Sequence, residues 1–130
     1  MKYLLDVNAL IALGFAHHQF RHRVINWVAA KNFTALLTCS ITELGFVRIL
    51  AQAPQYTYSV AEARDLLSQI KRSPRFPFKF IADDQDVSLL PAWVKTPKQT
   101  TDGHLVQLAH ANGATLATFD EKIPDAFIIP

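Results

Sequence analysis

Four carboxylates stand where a short apolar run ends or a helical pattern begins: Asp6, Glu43, Asp102 and Asp120. Asp6 closes the run Tyr3-Leu4-Leu5, and Asp120 follows Ala114–Thr118 within two residues. Glu43 falls in the first turn of a helical segment opening near Ile41, and Asp102 in that of one opening at Thr101. If the runs are parallel strands, all four acids reach the carboxyl edge of the sheet, where open α/β sheets bind their ligands. Gathered there, they form an anionic pocket of oxygen donors suited to hard cations such as Mg²⁺ or Mn²⁺. Each acid also has a plainer use. Asp6 can cap the helix that starts near Asn8. Ser40-Ile41-Thr42-Glu43 reads as a capping box, with Glu43 returning to the Ser40 amide. Asp102 suits the positive end of its helix, worth roughly 0.3–1 kcal/mol, and Asp120 can be a turn residue. What favours the pocket is the coincidence of all four at one edge, whereas Asp83, Asp84 and Asp86 read as a solvated loop.

The elements that must position these acids follow from periodicity. Tyr3–Leu5, Ala35–Leu37, a segment near Phe78–Ala82, Ala114–Thr118 and Phe127–Ile129 read as strands. Helical spacing predicts a helix after Asn8 and another over Phe20–Lys31, with Phe20, Val24, Trp27 and Val28 inward. Ile41–Ala53 is predicted helical with Leu44, Val47, Leu50 and Ala51 on one face, ending before Pro54. Ser59–Arg72 follows, with Ala63, Leu66, Leu67 and Ile70 inward. A short helix is expected between Asp86 and Leu90, then a loop over Pro91–Gln99. Thr101–Ala111 is a helix burying Leu105, Leu108 and Ala109, stopped by Asn112-Gly113. Strands alternating with helices imply a single α/β domain over residues 1–130, a short parallel sheet with helices on both faces.

Composition sets the outer bounds. A chain of 130 residues, half of them apolar and 18% charged, forms a real core in one domain. Thirteen basic against eleven acidic side chains give a net charge of +2. With four acids gathered in one pocket, the remaining surface is basic enough to attract a polyanion. The single cysteine, Cys39, cannot close an internal disulfide, so a reducing cytoplasm is the expected compartment. No leader pattern opens the sequence, and the apolar stretch Ala9–Ala16 is too short to span a bilayer.

The motifs carry a resemblance. Leu-Leu-Asp6-Val-Asn8-Ala-Leu-Ile-Ala-Leu resembles the opening motif of PIN-domain ribonucleases, and Thr42-Glu43-Leu-Gly-Phe-Val-Arg48 is similar to their second. Thr101-Asp102-Gly-His-Leu, with Leu108-Ala109 and Asn112-Gly113 after it, resembles the third, and Ala117-Thr118-Phe119-Asp120 the fourth. Order and spacing match over nearly the whole chain, most closely to the VapC-type toxins of toxin–antitoxin pairs. That resemblance implies an endoribonuclease in which Asp6, Glu43, Asp102 and Asp120 hold one or two Mg²⁺ ions, with Mn²⁺ able to substitute. Asn8 and Thr118 would be polar helpers near them; Arg48, a little over one turn beyond Glu43, is placed to steady a carboxylate or meet RNA phosphate. It further implies hydrolysis of RNA phosphodiesters by a metal-activated water, a homodimer, and a cognate antitoxin whose tail covers the pocket, the segments Ile41–Ala53 and Ser59–Arg72 supplying apolar surface for it.

Other readings stay open at this point. A non-catalytic PIN-like RNA-binding or scaffold module keeps the same fold, and a pocket acid missing or turned away favours it. An aspartyl-nucleophile phosphatase of the haloacid-dehalogenase type needs an acid where Asn8 stands. Dinucleotide binding lacks its glycine-rich turn. His18 and His22 lie one helical turn apart beside His17, but zinc needs further ligands that the sequence does not place there. His104 suggests an RNA contact or a supporting role beside Asp102. The stretch from Lys71 to Lys79, with Arg72, Arg75 and Phe76, reads either as an RNA-binding strip or as a solvated connector. Trp93, Lys95 and Lys98 suggest a lip over the substrate.

Overall fold

Tyr3, Leu5, Leu36 and Ala117 belong to one buried apolar cluster, and Leu4, Ala35, Leu37 and Leu116 to a second. This alternation is the two-residue period of strands buried on both faces. The computed structural model describes residues 1–30 and 35–130. Its strands are β1 (Lys2–Leu5), β2 (Ala35–Thr38), β3 (Phe78–Phe80), β4 (Thr115–Thr118) and β5 (Phe127–Ile128). They pair in the order β3-β2-β1-β4-β5, parallel throughout. The helices are α1 (Val7–Gly14), α2 (Arg21–Ala30), α3 (Ser40–Gln52), α4 (Val60–Arg72) and α5 (Thr100–Ala111). Helices α1 to α4 contribute to the first cluster and α5 to the second, so both faces of the sheet are covered as expected.

The chain builds outward from β1 to β2 and β3, then returns to the other side of β1 to lay down β4 and β5. The strand order therefore reverses between β1 and β4. In an open α/β sheet, the crevice beyond the carboxyl ends of those two strands is where ligands bind. Asp6 and Asp120 lie just past those two ends.

Several expectations shift in detail. Helix α3 turns Thr42, Gly45, Phe46 and Leu50 inward. Leu44, expected inside, is 65% exposed, and Ala51 is exposed too. The cause is helix contact: a Cβ on Gly45 would stand 2.7 Å from Val7 Cγ2, so this glycine lets α3 close on the start of α1. Strand β3 stops at Phe80 rather than Ala82, and the expected end of α2 at Lys31 lies outside the described residues. The loop before α5 holds a helical turn at Pro97–Gln99. That loop packs closely on α5, because a Cβ on Gly103 would come within 2.2 Å of Val94 Cγ2. Gly103 therefore fixes where Asp102, its neighbour, meets the rest of the edge. Asn112-Gly113 ends α5 as expected, with Gly113 at φ +67°, a conformation that glycine adopts without strain.

Candidate active site

Asp6 caps α1. Its Oδ1 accepts the Val7 amide at 2.8 Å, and its Oδ2 accepts the Thr118 hydroxyl at 2.8 Å. Thr118 ends β4, is fully buried, and its Oγ1 also accepts the backbone N–H of Asp120 at 3.0 Å. One buried hydroxyl thus orients two acids from adjoining segments. The capping use of Asp6 and its place in the cluster are compatible, since a cap needs only part of a carboxylate's accepting capacity. Asp120 is exposed, and its Oδ1 accepts the Lys122 amide at 2.9 Å, so its turn role is real as well.

Asp102 projects from the first turn of α5 into the same region. Burial, with the negative charges of Asp6 and then Asp120, pushes its carboxyl up to about 6. Asp6 is raised as well, first by burial and also by the charge of Asp120, against the lowering effect of its bonds to Thr118 and Val7. Like charges drawn together out of water disfavour ionisation in this way. Among the described residues, no neighbouring positive charge lowers Asp6 or Asp102. The structure therefore brings three of the four expected acids into mutual electrostatic contact.

Glu43 is placed differently. It lies in the first turn of α3, but Cys39, not Ser40, caps that helix, and the expected box with the Ser40 amide does not form. Thr42 Oγ1 accepts the Cys39 amide at 3.0 Å instead. Glu43 Oε2 is free of capping duty and accepts two short bonds, from Thr38 Oγ1 at 2.6 Å and from Lys71 Nζ at 2.6 Å. Thr38 is fully buried at the end of β2, as Thr118 is at the end of β4. Two strand-terminal threonines each hand a hydroxyl to an acid. Glu43 is not among the charges acting on Asp6 or Asp102. Among the described residues, no three His, Cys, Asp or Glu side chains are drawn together into a ready ligand set.

Sequence reasoning missed Thr38, and it read Lys71 only as part of a basic strip. A strand-ending threonine after a wholly apolar run, repeated at Thr118, was the available signal. Of that strip, Lys71 belongs to the site, while Arg75 stacks over Phe76, whose ring packs against the core. Asn8 Oδ1 meets His18 Nε2 at 3.0 Å, and His18 Nδ1 accepts the Phe20 amide at 3.0 Å. Both imidazole nitrogens are engaged, so His18 is not available to a zinc ion. His104 pairs with Asp83, which ties the 83–86 loop to α5 and takes Asp83 out of the purely solvated class. Arg48 is exposed on α3. Trp93 packs against the core beneath the loop, while Lys95 and Lys98 are exposed.

The family profile described as PIN domain matches residues 3–127. The chain belongs to the PIN-domain family. Among its relatives, Ribonuclease VapC38 of Mycobacterium tuberculosis is 37% identical over 128 residues, covering 92% of this chain and 86% of that protein. Ribonuclease VapC44 of the same species is 36% identical over 131 residues, covering 95% and 89%. The resemblance to VapC-type PIN proteins thus holds over most of the chain. The crystal structure of VapBC2 from Rickettsia felis, bound to a DNA fragment from their promoter, contains a chain that superposes with a TM-score of 0.62. The match covers 98% of this chain and 97% of that one, and at 15% identity it speaks for the PIN fold alone.

Proposed function

We propose that this PIN protein is a metal-dependent endoribonuclease and the toxin of a type II toxin–antitoxin pair, acting on RNA in the cytoplasm. The observation that carries this reading is the group Asp6, Asp102 and Asp120 near the topological switch point, whose like charges act on one another, with no positive charge among the described residues lowering Asp6 or Asp102. Such a group costs stability by itself; its oxygens are not drawn together into a ready ligand set, and a divalent cation would gather them, with Mg²⁺ the expected ion and Mn²⁺ a substitute. Asp6, Asp102 and Asp120 would hold it, joined by Glu43 once that side chain leaves Lys71. When bound, the ion supplies the positive charge that makes water nucleophilic and steadies the departing oxygen. Thr118 keeps Asp6 and the Asp120 backbone in register throughout. Asn8 and the exposed Arg48 offer donors to the RNA backbone. The names of the relatives, ribonucleases all, support the same class.

Lys71 is the natural competitor for the fourth ligand. Lys71→Gln removes the charge that holds Glu43 aside and leaves a further carboxylate uncompensated. We expect Mn²⁺ affinity, measured by calorimetry, to tighten severalfold. Unchanged or weaker binding would show that Glu43 stays with Thr38 and takes no part.

The antitoxin surface is best assigned to the cleft between α3 and α4, a cavity of about 490 Å³ walled by Leu44, Val47, Leu67 and Phe80 and floored by Glu43 and Lys71. Leu44 and Phe80, at 65% and 46% exposure, are large apolar side chains left open there. Apolar surface of this kind marks a protein contact. A homodimer is also part of the proposal, and light scattering at micromolar concentration should return twice the chain mass; a strict monomer removes the dimer and leaves the nuclease.

One observation favours the other reading, a non-catalytic RNA-binding or scaffold module: Glu43 is drawn toward Lys71 and Thr38 rather than toward the aspartates. The deciding experiment expresses the chain with and without its neighbouring reading frame and sequences the 5′ ends of cellular RNA. Discrete new ends should arise only when the chain is expressed alone. Their absence, with the protein folded and abundant, would favour the scaffold.

A further inference from the structure

A second cavity, of about 450 Å³, opens between the turn after α1 and the turn joining α3 to α4, and none of the roles above uses it. Three aromatic rings converge on it. The Phe15 centroid lies 4.9 Å from that of Tyr56 and 5.5 Å from that of Tyr58. Thr57, between the two tyrosines, has φ +34°, a region that β-branched residues rarely adopt. Backbone held there at a cost is a feature of functional sites. With this conformation both flanking tyrosines pack against Phe15.

The rest of the lining is polar. His17, Gln19 and Gln55 are exposed and line the cavity, and among the described residues no Asp, Glu, Lys or Arg does. A phosphate would find no Lys or Arg among the described residues of this lining. A flat neutral heterocycle would find rings to stack on, and an imidazole and two amides able to donate and accept at its edge.

The cavity is also joined to the acid cluster. His18 forms part of its wall, and the same ring reaches Asn8, two residues after Asp6. Because Nδ1 accepts the Phe20 amide, Nε2 carries the ring proton and donates it to Asn8 Oδ1. The Asn8 amide nitrogen is then left to face outward as a donor. Asn8 and His18 thus link the neighbourhood of Asp6 to the wall of the cavity.

We propose that this cavity takes one unpaired base of the RNA strand, beyond His18 from the phosphodiester presented to the acids, stacked on the tyrosine rings and read at its edge by His17, Gln19 and Gln55. The proposal rests on the nuclease reading and adds to it a base-binding subsite and a source of sequence preference.

The test measures the affinity of the full-length protein, in an Asp6→Asn background, for a short unstructured oligoribonucleotide by fluorescence anisotropy. The base is deleted at one position at a time. One position should be sensitive, losing about tenfold, as deletion of a base–aromatic stack does. Tyr58→Ala should lose a similar factor on the intact oligonucleotide. His17→Ala and Gln19→Ala, exposed and therefore safe for folding, should each lose a smaller one. Combining any of these with the sensitive abasic position should add little, because the partner is already gone. No sensitive position, or losses that multiply fully, overturns the proposal. So do variants that keep RNA affinity and weaken the complex with the antitoxin, which would assign the cavity to protein. If the native chain with Mn²⁺ neither binds nor cleaves any oligoribonucleotide, the nuclease reading falls with it. If cleavage is intact while the cavity variants behave as the parent, only the base subsite falls.

Discussion

Replacement of Asp6 by asparagine is expected to lower the rate of RNA cleavage by at least about a hundredfold, the scale on which loss of one transition-state charge contact is felt. Excess chelator should abolish cleavage by the unaltered chain, and Mg²⁺ or Mn²⁺ should restore it. The substitution is a clean probe because the local structure survives it. An asparagine carbonyl still accepts the Val7 amide, and its NH₂ can donate to Thr118, whose hydroxyl then serves as acceptor. The cap on α1 is kept, and so is the register between β1 and β4. What disappears is the negative charge most deeply set among the three aspartates, raised by its own burial and by Asp120. Single-turnover cleavage of an RNA substrate reads the loss. Equal rates for the variant, or activity persisting in chelator, would sink the metal-dependent reading.

Much of this was legible in the sequence, for reasons that differ by element. The strands Tyr3–Leu5 and Ala35–Leu37 are apolar on both faces, a pattern that only a covered parallel sheet satisfies, so their roles could be read directly. The positions of Asp6 and Asp120 followed from strand ends, which composition marks well. The inward face of α3 was not legible. Leu44 is as apolar as Leu50, and what decides between them is Gly45, whose missing side chain brings α3 against Val7 and turns Leu44 outward. The partner of Glu43 was hidden for a similar reason. Lys71 stands 28 residues away on another helix, and its reach depends on how α4 docks beside α3. Hydroxyl donors such as Thr38 are common in sequence and become informative only when a strand end places them beside an acid. The same holds for the aromatic cavity, since Phe15, Tyr56 and Tyr58 come together only through the contact between two turns.

Stability offers a view of the acid cluster that needs no substrate, and Asp102 is the residue to watch. Its carboxyl sits at about 6, against an ordinary value of 3.8, through burial first and then through the charges of Asp6 and Asp120. Between those two values the folded protein keeps a proton that the unfolded chain has released. Metal-free stability should therefore fall as pH rises from about 4 to about 6 and stay lower at neutrality. Asp102 is partly open to solvent, which screens the repulsion, so Asp102→Asn should raise the metal-free melting temperature at neutral pH by only about 1–3 °C. The same variant should lose its advantage near pH 4, where the native carboxyl is already protonated. Divalent metal acts unequally on the two proteins. At free Mn²⁺ a hundred times its dissociation constant, the native chain should gain roughly 2.7 kcal/mol, on the order of 10 °C for a domain of this size. Asp102→Asn should gain much less, so the order of melting reverses on adding metal. Were Asp102 only a favourable charge at the start of α5, its replacement would be neutral or destabilising at every pH above 4, and Mn²⁺ would shift neither protein. Thermal melts of both chains at pH 4 and pH 7, in EDTA and then in Mn²⁺, distinguish the two cases, and a native chain indifferent to Mn²⁺ counts directly against a metal centre.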